Sequence, residues 1–223
     1  KVGGHRPVPL PQIACSGIAV EGQLTDWLKL ANGNLKERTA LERLYDLFRQ
    51  APTLGSLIDP THVPIEERLF SADYEAVAPL LERALQRERQ RDDPASQVLG
   101  QAAQAVTRAA ELLAGEYTLV ATNVPYLARG KQDKVLAAYC ERHHPSTKND
   151  LATAFVERCR AFAAAGCGYA LVSPQNWGFL GSYESFRREL LSTQTWNCYC
   201  PIGEHGFESP QAAGAFTALY TLS

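Results

Sequence analysis

Methionine is missing from all 223 residues, so Lys1 is no translational start and the sequence is expected to be a piece of a longer protein, processed or excised. Positive charge is not in excess either. With 22 lysines and arginines against 24 aspartates and glutamates, the net charge of -2 excludes the simplest nucleic-acid binder, a uniformly basic chain. Any contact with DNA has to be local. No window reaches the ~18 uninterrupted apolar residues of a membrane span, and the first ten residues lack the apolar stretch of a secretory leader. A soluble, cytoplasmic protein with no membrane partner is expected. Paired C-x-x-C spacing is absent. The six cysteines (Cys15, Cys140, Cys159, Cys167, Cys198 and Cys200) are scattered, mostly inside apolar patterns, which favours reduced thiols over a disulfide framework. Cys140 with His143 and His144, and Cys198 and Cys200 with His205, are nominal zinc ligands without that framework, so no metal is expected. There is no phosphate loop of the G-x-x-x-x-G-K-[ST] kind and no G-x-S-x-G nucleophile elbow.

What is present is a chain that can fold: 45% of its residues are hydrophobic and 21% charged. Two parts are expected. Residues 1–115 read as mostly helical with one short strand at 13–20, and residues 116–223 as an α/β part with a mixed sheet and flanking helices. In the first part Leu41, Leu44, Tyr45 and Phe48 recur at helical spacing and stop before Pro52. Residues 55–64 form a loop. Residues 74–90 form an amphipathic helix whose arginines interleave with acids as a solvated face, and a second helix at 97–114 ends at Gly115. The second part begins with a strand at 117–122, followed by a helix near 134–142. A helix capped by Asp150 then runs to Gly166, a buried strand covers 169–173, and a helix carries Tyr183, Phe186 and Leu190. Residues 195–200 and 215–222 read as two further β segments.

The chemistry concentrates in Asn123-Val124-Pro125-Tyr126, where the strand at 117–122 runs into a loop. In open α/β sheets, ligands bind beyond the carboxyl ends of strands. The Asn123 carboxamide oxygen and the Val124 carbonyl can accept both hydrogens of an exocyclic amine, while the Tyr126 ring stacks on the attached heterocycle. An aromatic amine is a poor nucleophile. Drawing on both N–H bonds makes its nitrogen electron-rich and ready for in-line attack on an electrophilic methyl group. The same string also reads as a plain turn after a strand, which Asn and Pro favour.

These residues resemble the (Asn/Asp/Ser)-Pro-Pro-(Tyr/Phe/Trp) motif of amino-group DNA methyltransferases. The resemblance is greatest to the adenine-specific enzymes of type IIG restriction-modification and BREX phage-exclusion systems. It extends from Leu54-Gly55-Ser56-Leu57 through Thr122–Leu127, Asn149-Asp150-Leu151 with Phe155, and Ala170-Leu171-Val172-Ser173-Pro174-Gln175-Asn176-Trp177. Ser182-Tyr183-Glu184 with Arg187, and Gly203-Glu204 with Phe207, complete it. The resemblance implies a partial Rossmann-like class I methyltransferase fold and S-adenosylmethionine as methyl donor. It also implies double-stranded DNA with a flipped adenine as substrate, and other phage-defence subunits as partners. Carried over, Asn123, Val124, Pro125 and Tyr126 are catalytic, Phe207 closes the far face of the base, and Trp177 contacts substrate at the rim. Phe207 and Trp177 also read as core aromatics.

Two departures from the pattern stand out. Val124 replaces the first proline, adding an N–H and removing rigidity. The glycine-rich cofactor motif that precedes the catalytic tetrapeptide is absent, and Gly166-Cys167-Gly168 reads as a helix-to-strand turn. The chain alone is therefore expected to bind S-adenosylmethionine weakly or not at all. A methyltransferase acting on RNA or on a protein glutamine amide, and a non-catalytic module of a defence complex, remain alternatives.

Overall fold

A computed structural model describes residues 10–31, 35–61, 94–203 and 216–223. Two compact units emerge, one from residues up to Pro52 and from Pro60 to Leu112, the other from Thr53–Asp59 and Leu113–Ser223. The expected helix at 74–90, and Phe207 and His205, lie outside the described residues.

In the first unit, α1 (Leu24–Lys29) packs on α2 (Leu35–Phe48). Trp27 is fully buried, meets Tyr45 edge-on with ring centroids 5.8 Å apart, and donates its indole N–H to the Glu21 carbonyl at 2.7 Å. The helix break before Pro52 is as expected: α2 ends at Phe48 and a short helix, α3 (Ala51–Leu54), holds the proline in its first turn. α4 (Pro94–Ala114) starts three residues earlier than the periodicity at 97–114 indicates. Residues 13–20 are not a strand. They run as irregular chain with a turn at Ser16-Gly17, and Ile13 is 79% exposed. An apolar run becomes a strand only where a sheet edge receives it, and the four described strands pair only among themselves.

The second unit is α/β, as expected, with a mixed sheet. Its strands are β1 (Tyr117–Asn123), β2 (Ala163–Pro174), β3 (Trp196–Gly203) and β4 (Thr217–Leu222). Their spatial order is β1-β2-β4-β3; β1 and β2 are parallel, and β4 runs antiparallel to both of its neighbours. Helices α5 (Lys134–His143), α6 (Leu151–Phe162) and α7 (Glu184–Thr193) complete the unit. Ala152, Val156 and Cys159 of α6, Phe186 and Leu190 of α7, Tyr169 and Leu171 of β2, and Tyr220 and Leu222 of β4 share one buried cluster.

α6 ends at Phe162 rather than at Gly166, because Ala163 already pairs with Tyr117. The register then slips: Leu119 faces Gly168, so β2 carries extra residues in a bulge, and Gly166 occupies it at φ 74°. That conformation is strained for any residue with a Cβ, which explains the glycine here.

One buried cation ties the segment at 54–59 to α6. Arg158, 4% exposed, donates to the carbonyls of Ser56 (3.2 Å), Ile58 (2.8 Å) and Leu113 (2.6 Å). It also pairs with Asp59 at 3.1 Å and lies 3.9 Å from the Phe162 ring centroid. A planar guanidinium can serve several fixed acceptors at once; an ammonium cannot. Arg158→Ala is expected to lower the unfolding free energy by about 3 kcal/mol, with Arg158→Lys recovering only part of it, as read by chemical denaturation.

Candidate functional site

Parallel pairing brings the ends of β1 and β2 side by side, with Asn123 opposite Val172. Asn123 and Pro125 are exposed, Val124 is buried at 3%, and Tyr126 is half-buried. The Val124 N–H donates to the Val172 carbonyl at 3.2 Å. A proline could not make that bond, so the residue that departs from the family pattern is fastened by the very group it adds. Among the described residues, nothing donates to the Val124 carbonyl or bonds the Asn123 carboxamide.

The loop beyond Tyr126 is fixed by the start of α6. Asp150 caps that helix, accepting from Ala152 N at 2.9 Å, and its carboxylate also takes the Leu127 N–H at 3.4 Å. Leu151 N donates back to the Leu127 carbonyl at 3.0 Å, and Arg129 N to the Asn149 carbonyl at 2.9 Å. The Tyr126 hydroxyl is buried with no hydrogen-bond partner among the described residues. Burial, and after it the nearby Asp150 carboxylate, push its pKa above the ordinary tyrosine value.

The second wall is the turn after β2. Gln175 N donates to the Phe216 carbonyl at 2.9 Å, and the Asn176 carbonyl accepts from Phe179 N (3.2 Å) and Leu180 N (2.9 Å). Arg187 of α7 reaches back to the carbonyls of Trp177 (2.8 Å) and Leu180 (2.5 Å). Trp177 is fully buried, stacked on Tyr220 with centroids 4.3 Å apart, and its N–H bonds Ser173 Oγ at 2.8 Å. It supports the turn from behind and does not line the rim. Gly178 leaves little room at its place: a Cβ there would come 3.2 Å from the Tyr220 hydroxyl and 3.4 Å from that of Tyr199.

Between the two walls lies a cleft of about 470 Å³ lined by Tyr126, Pro174, Gln175, Asn176, Phe179 and Phe216. Its size is that of small-molecule sites. Of the residues singled out in the sequence, Tyr126 lines it, and Asn123 to Pro125 lead into it along the chain. Phe179 and Phe216 carried no sequence signal, since they reach the cleft from different parts of the chain. Gln175 and Asn176 stood within a recognisable string with no role attached.

Of the candidate zinc ligands, Cys140 and His144 have other surroundings. Cys140 is buried, and burial pushes its thiol up to about 11; Cys159 goes to about 12 for the same reason. His144 Nδ1 lies 2.7 Å from Glu157 Oε2. Cys15, Cys198 and Cys200 are exposed. Mass spectrometry after brief alkylation of the folded protein near neutral pH is expected to find those three modified, with Cys140 and Cys159 protected until denaturant is added.

The fold and this cleft define an α/β chain with a polar and aromatic site at the carboxyl ends of a parallel strand pair. Among known proteins it is similar to adenine-specific methyltransferases, in agreement with the resemblance carried by the motifs. Over 187 residues, 82% of this chain, it is 30% identical to the adenine-specific methyltransferase BrxX of Escherichia coli O9:H4 (strain HS). Over 101 residues, 45% of the chain, it is 31% identical to the adenine-specific methyltransferase PglX of Lacticaseibacillus casei (strain Zhang). The matched stretches are 14% and 8% of those relatives, so the chain spans a small part of their length. No family model matches the chain.

The orphaned hydroxyl of Tyr126 gives a direct check on the local geometry. Tyr126→Phe removes a buried, unsatisfied polar group while keeping the ring, so stability is expected to hold or rise by up to about 1 kcal/mol in thermal unfolding.

Proposed function

We propose that this chain supplies the acceptor side of a methyltransferase that modifies N6 of adenine in double-stranded DNA, in a phage-defence or restriction-modification setting. The observation that carries this reading is the exposed Asn123 carboxamide and unengaged Val124 carbonyl, one residue apart, leading to the Tyr126 wall of the cleft. The relatedness to BrxX and PglX supports it. The sheet, a parallel pair extended by a reversed strand, fits the catalytic-side part of a Rossmann-like domain.

In this reading the target base leaves the duplex, since its amine is inaccessible within the stack. Tyr126 stacks on one face. The Asn123 oxygen and the Val124 carbonyl accept the two amine hydrogens, so electron density returns to the nitrogen lone pair. The nitrogen lone pair is thereby oriented for in-line attack on an electrophilic methyl group. Asn123 and Val124 act by fixed dipoles, with no charge of their own. The -2 net charge is compatible with this, because the base is gripped by neutral groups and the phosphates need only local contacts.

S-adenosylmethionine, the methyl donor that the family implies, does not fit the described residues. A donor of that kind is held at a glycine-rich turn leading from strand into helix. Among the described residues, the glycine-rich run at the sheet, Gly166-Cys167-Gly168, sits in the β2 bulge after a helix, with its Gly166 at φ 74°. The chain by itself binds it weakly or not at all.

The test uses the full-length natural protein carrying this chain, unmethylated genomic DNA and nucleoside analysis of the digested product. N6-methyladenine is expected from the wild type. Asn123→Ala should lower kcat by about 10²–10³-fold with DNA affinity nearly unchanged. Methyl transfer to RNA or to a glutamine-containing peptide, with none to DNA, overturns the reading.

A further inference from the structure

The cleft contains more recognition chemistry than the amine grip uses. Gln175 and Asn176 are both half-buried on its wall, and neither carboxamide hydrogen-bonds another described residue. Their backbones, by contrast, are fastened. Gln175 donates to Phe216 O and accepts the Tyr220 hydroxyl at 3.4 Å, while the Asn176 carbonyl serves two N–H groups. The structure therefore spends its own hydrogen bonds on holding the turn and leaves two primary amides facing the cleft unspent. Preorganised backbone with idle side-chain donors is how a reading surface is built.

The apolar residues point the same way. Phe179 is 59% exposed and Phe216 is 52% exposed, both large rings on the same cleft. Neither stacks on the other or on Tyr126 among the described residues. A ring that admits a flat heterocycle between itself and Tyr126 must stand about 7 Å from it, twice the ordinary ~3.5 Å contact, and so cannot touch it. Exposed phenylalanines beside idle amides indicate a ligand that is flat, aromatic and bordered by hydrogen-bonding atoms.

We propose that the turn after β2 reads the extruded base. The Gln175 and Asn176 carboxamides donate to its ring nitrogens, and Phe179 with Phe216 packs on the face turned away from Tyr126. This rests on the adenine reading above and deepens it. With the N6 hydrogens taken by Asn123 and Val124, the acceptors left beside the amine are N1 and N7. A primary amide is suited to donate to either. Guanine presents an N–H at its N1 position, where an amide donor meets a donor, so the turn adds selectivity as well as grip.

The experiment removes the acceptor atoms from the base and the donors from the protein in the same cycle. The full-length protein is assayed on DNA copied with ordinary, 1-deazaadenine or 7-deazaadenine nucleotides. The Gln175→Ala/Asn176→Ala protein is assayed in parallel. We expect the wild type to lose about 3- to 10-fold in kcat/KM on one deaza substrate, the size of one hydrogen bond. The double variant should show that loss already on ordinary DNA and little further loss on the deaza form, with its KM for S-adenosylmethionine unchanged. Phe179→Ala should raise the KM for DNA. If the alanine variant unfolds, Gln175→Glu/Asn176→Asp keeps the shape while replacing donors with acceptors, and the loss on ordinary DNA should then exceed that caused by removing one ring nitrogen. Normal adenine methylation with a deaza penalty undiminished in the variants overturns this proposal and leaves the amine grip standing. A wild-type protein that methylates no adenine in ordinary DNA overturns both.

Discussion

The parallel pairing of β1 with β2 is the constraint from which the site follows. Two parallel strands end on the same side of a sheet, so the loops that leave them are neighbours whatever their sequences. Here one loop carries Asn123 to Tyr126 and the other Pro174 to Phe179. An antiparallel pair would have put these loops at opposite ends. The register does the rest, because Asn123 stands opposite Val172 and the bond from Val124 N to Val172 O carries the pairing one residue past the end of β1. Were β1 to slip by one residue, every side chain would change face and the Asn123 carboxamide would turn away from its present side.

Two polar side chains turn that topology into a fixed geometry. Asp150 serves both the first turn of α6 and the chain just past Tyr126, so the helix that covers the sheet also positions the loop. Arg158, two turns along the same helix, gathers the carbonyls of Ser56, Ile58 and Leu113. Both residues satisfy backbone groups that would otherwise be buried without partners, and both sit on a helix whose apolar face belongs to the core. Site and core are therefore not separable here. Arg187 plays the same part for the other wall, from the exposed side of α7.

How much of this was legible in the sequence differs by element, for physical reasons. Asp150 was readable as a cap, and α6 and the strands about it were readable from caps and periodicity, which are local signals. The far end of α6 was misjudged because Gly166 looks like a helix stop, whereas its positive φ serves a bulge within β2; only the pairing with β1 reveals that. Residues 13–20 have the apolar content of a strand but pair with no described strand, and no local pattern can report that. The amine-gripping tetrapeptide was visible as a motif. The opposite wall was not, since Phe216 is brought beside the turn after β2 by a backbone hydrogen bond from Gln175 that spans far-separated chain. Trp177 was ambiguous in sequence, because a large aromatic beside a site suits a core and a rim equally; its full burial against Tyr220 resolves it as core.

Val124 shows how a departure from a motif can be absorbed. Proline at that position would restrict the backbone by its ring, stiffening the segment without any partner. Valine gives up that restriction and gains an N–H, which in a loop would ordinarily face water or go unpaired. At this place the neighbouring strand offers the Val172 carbonyl, which accepts the Val124 N–H at 3.2 Å. The rigidity of a proline ring is thus replaced by a ladder-like hydrogen bond, and the side chain joins the buried cluster with Val156, Tyr169 and Leu171. Pro125 still biases Val124 toward extended backbone, the conformation in which its carbonyl is left without a helical partner. The acceptor required of this residue is that main-chain oxygen, which valine and proline share. Substitution of a residue whose function resides in its backbone is therefore tolerated when some other contact restores the lost stiffness, and β2 provides one.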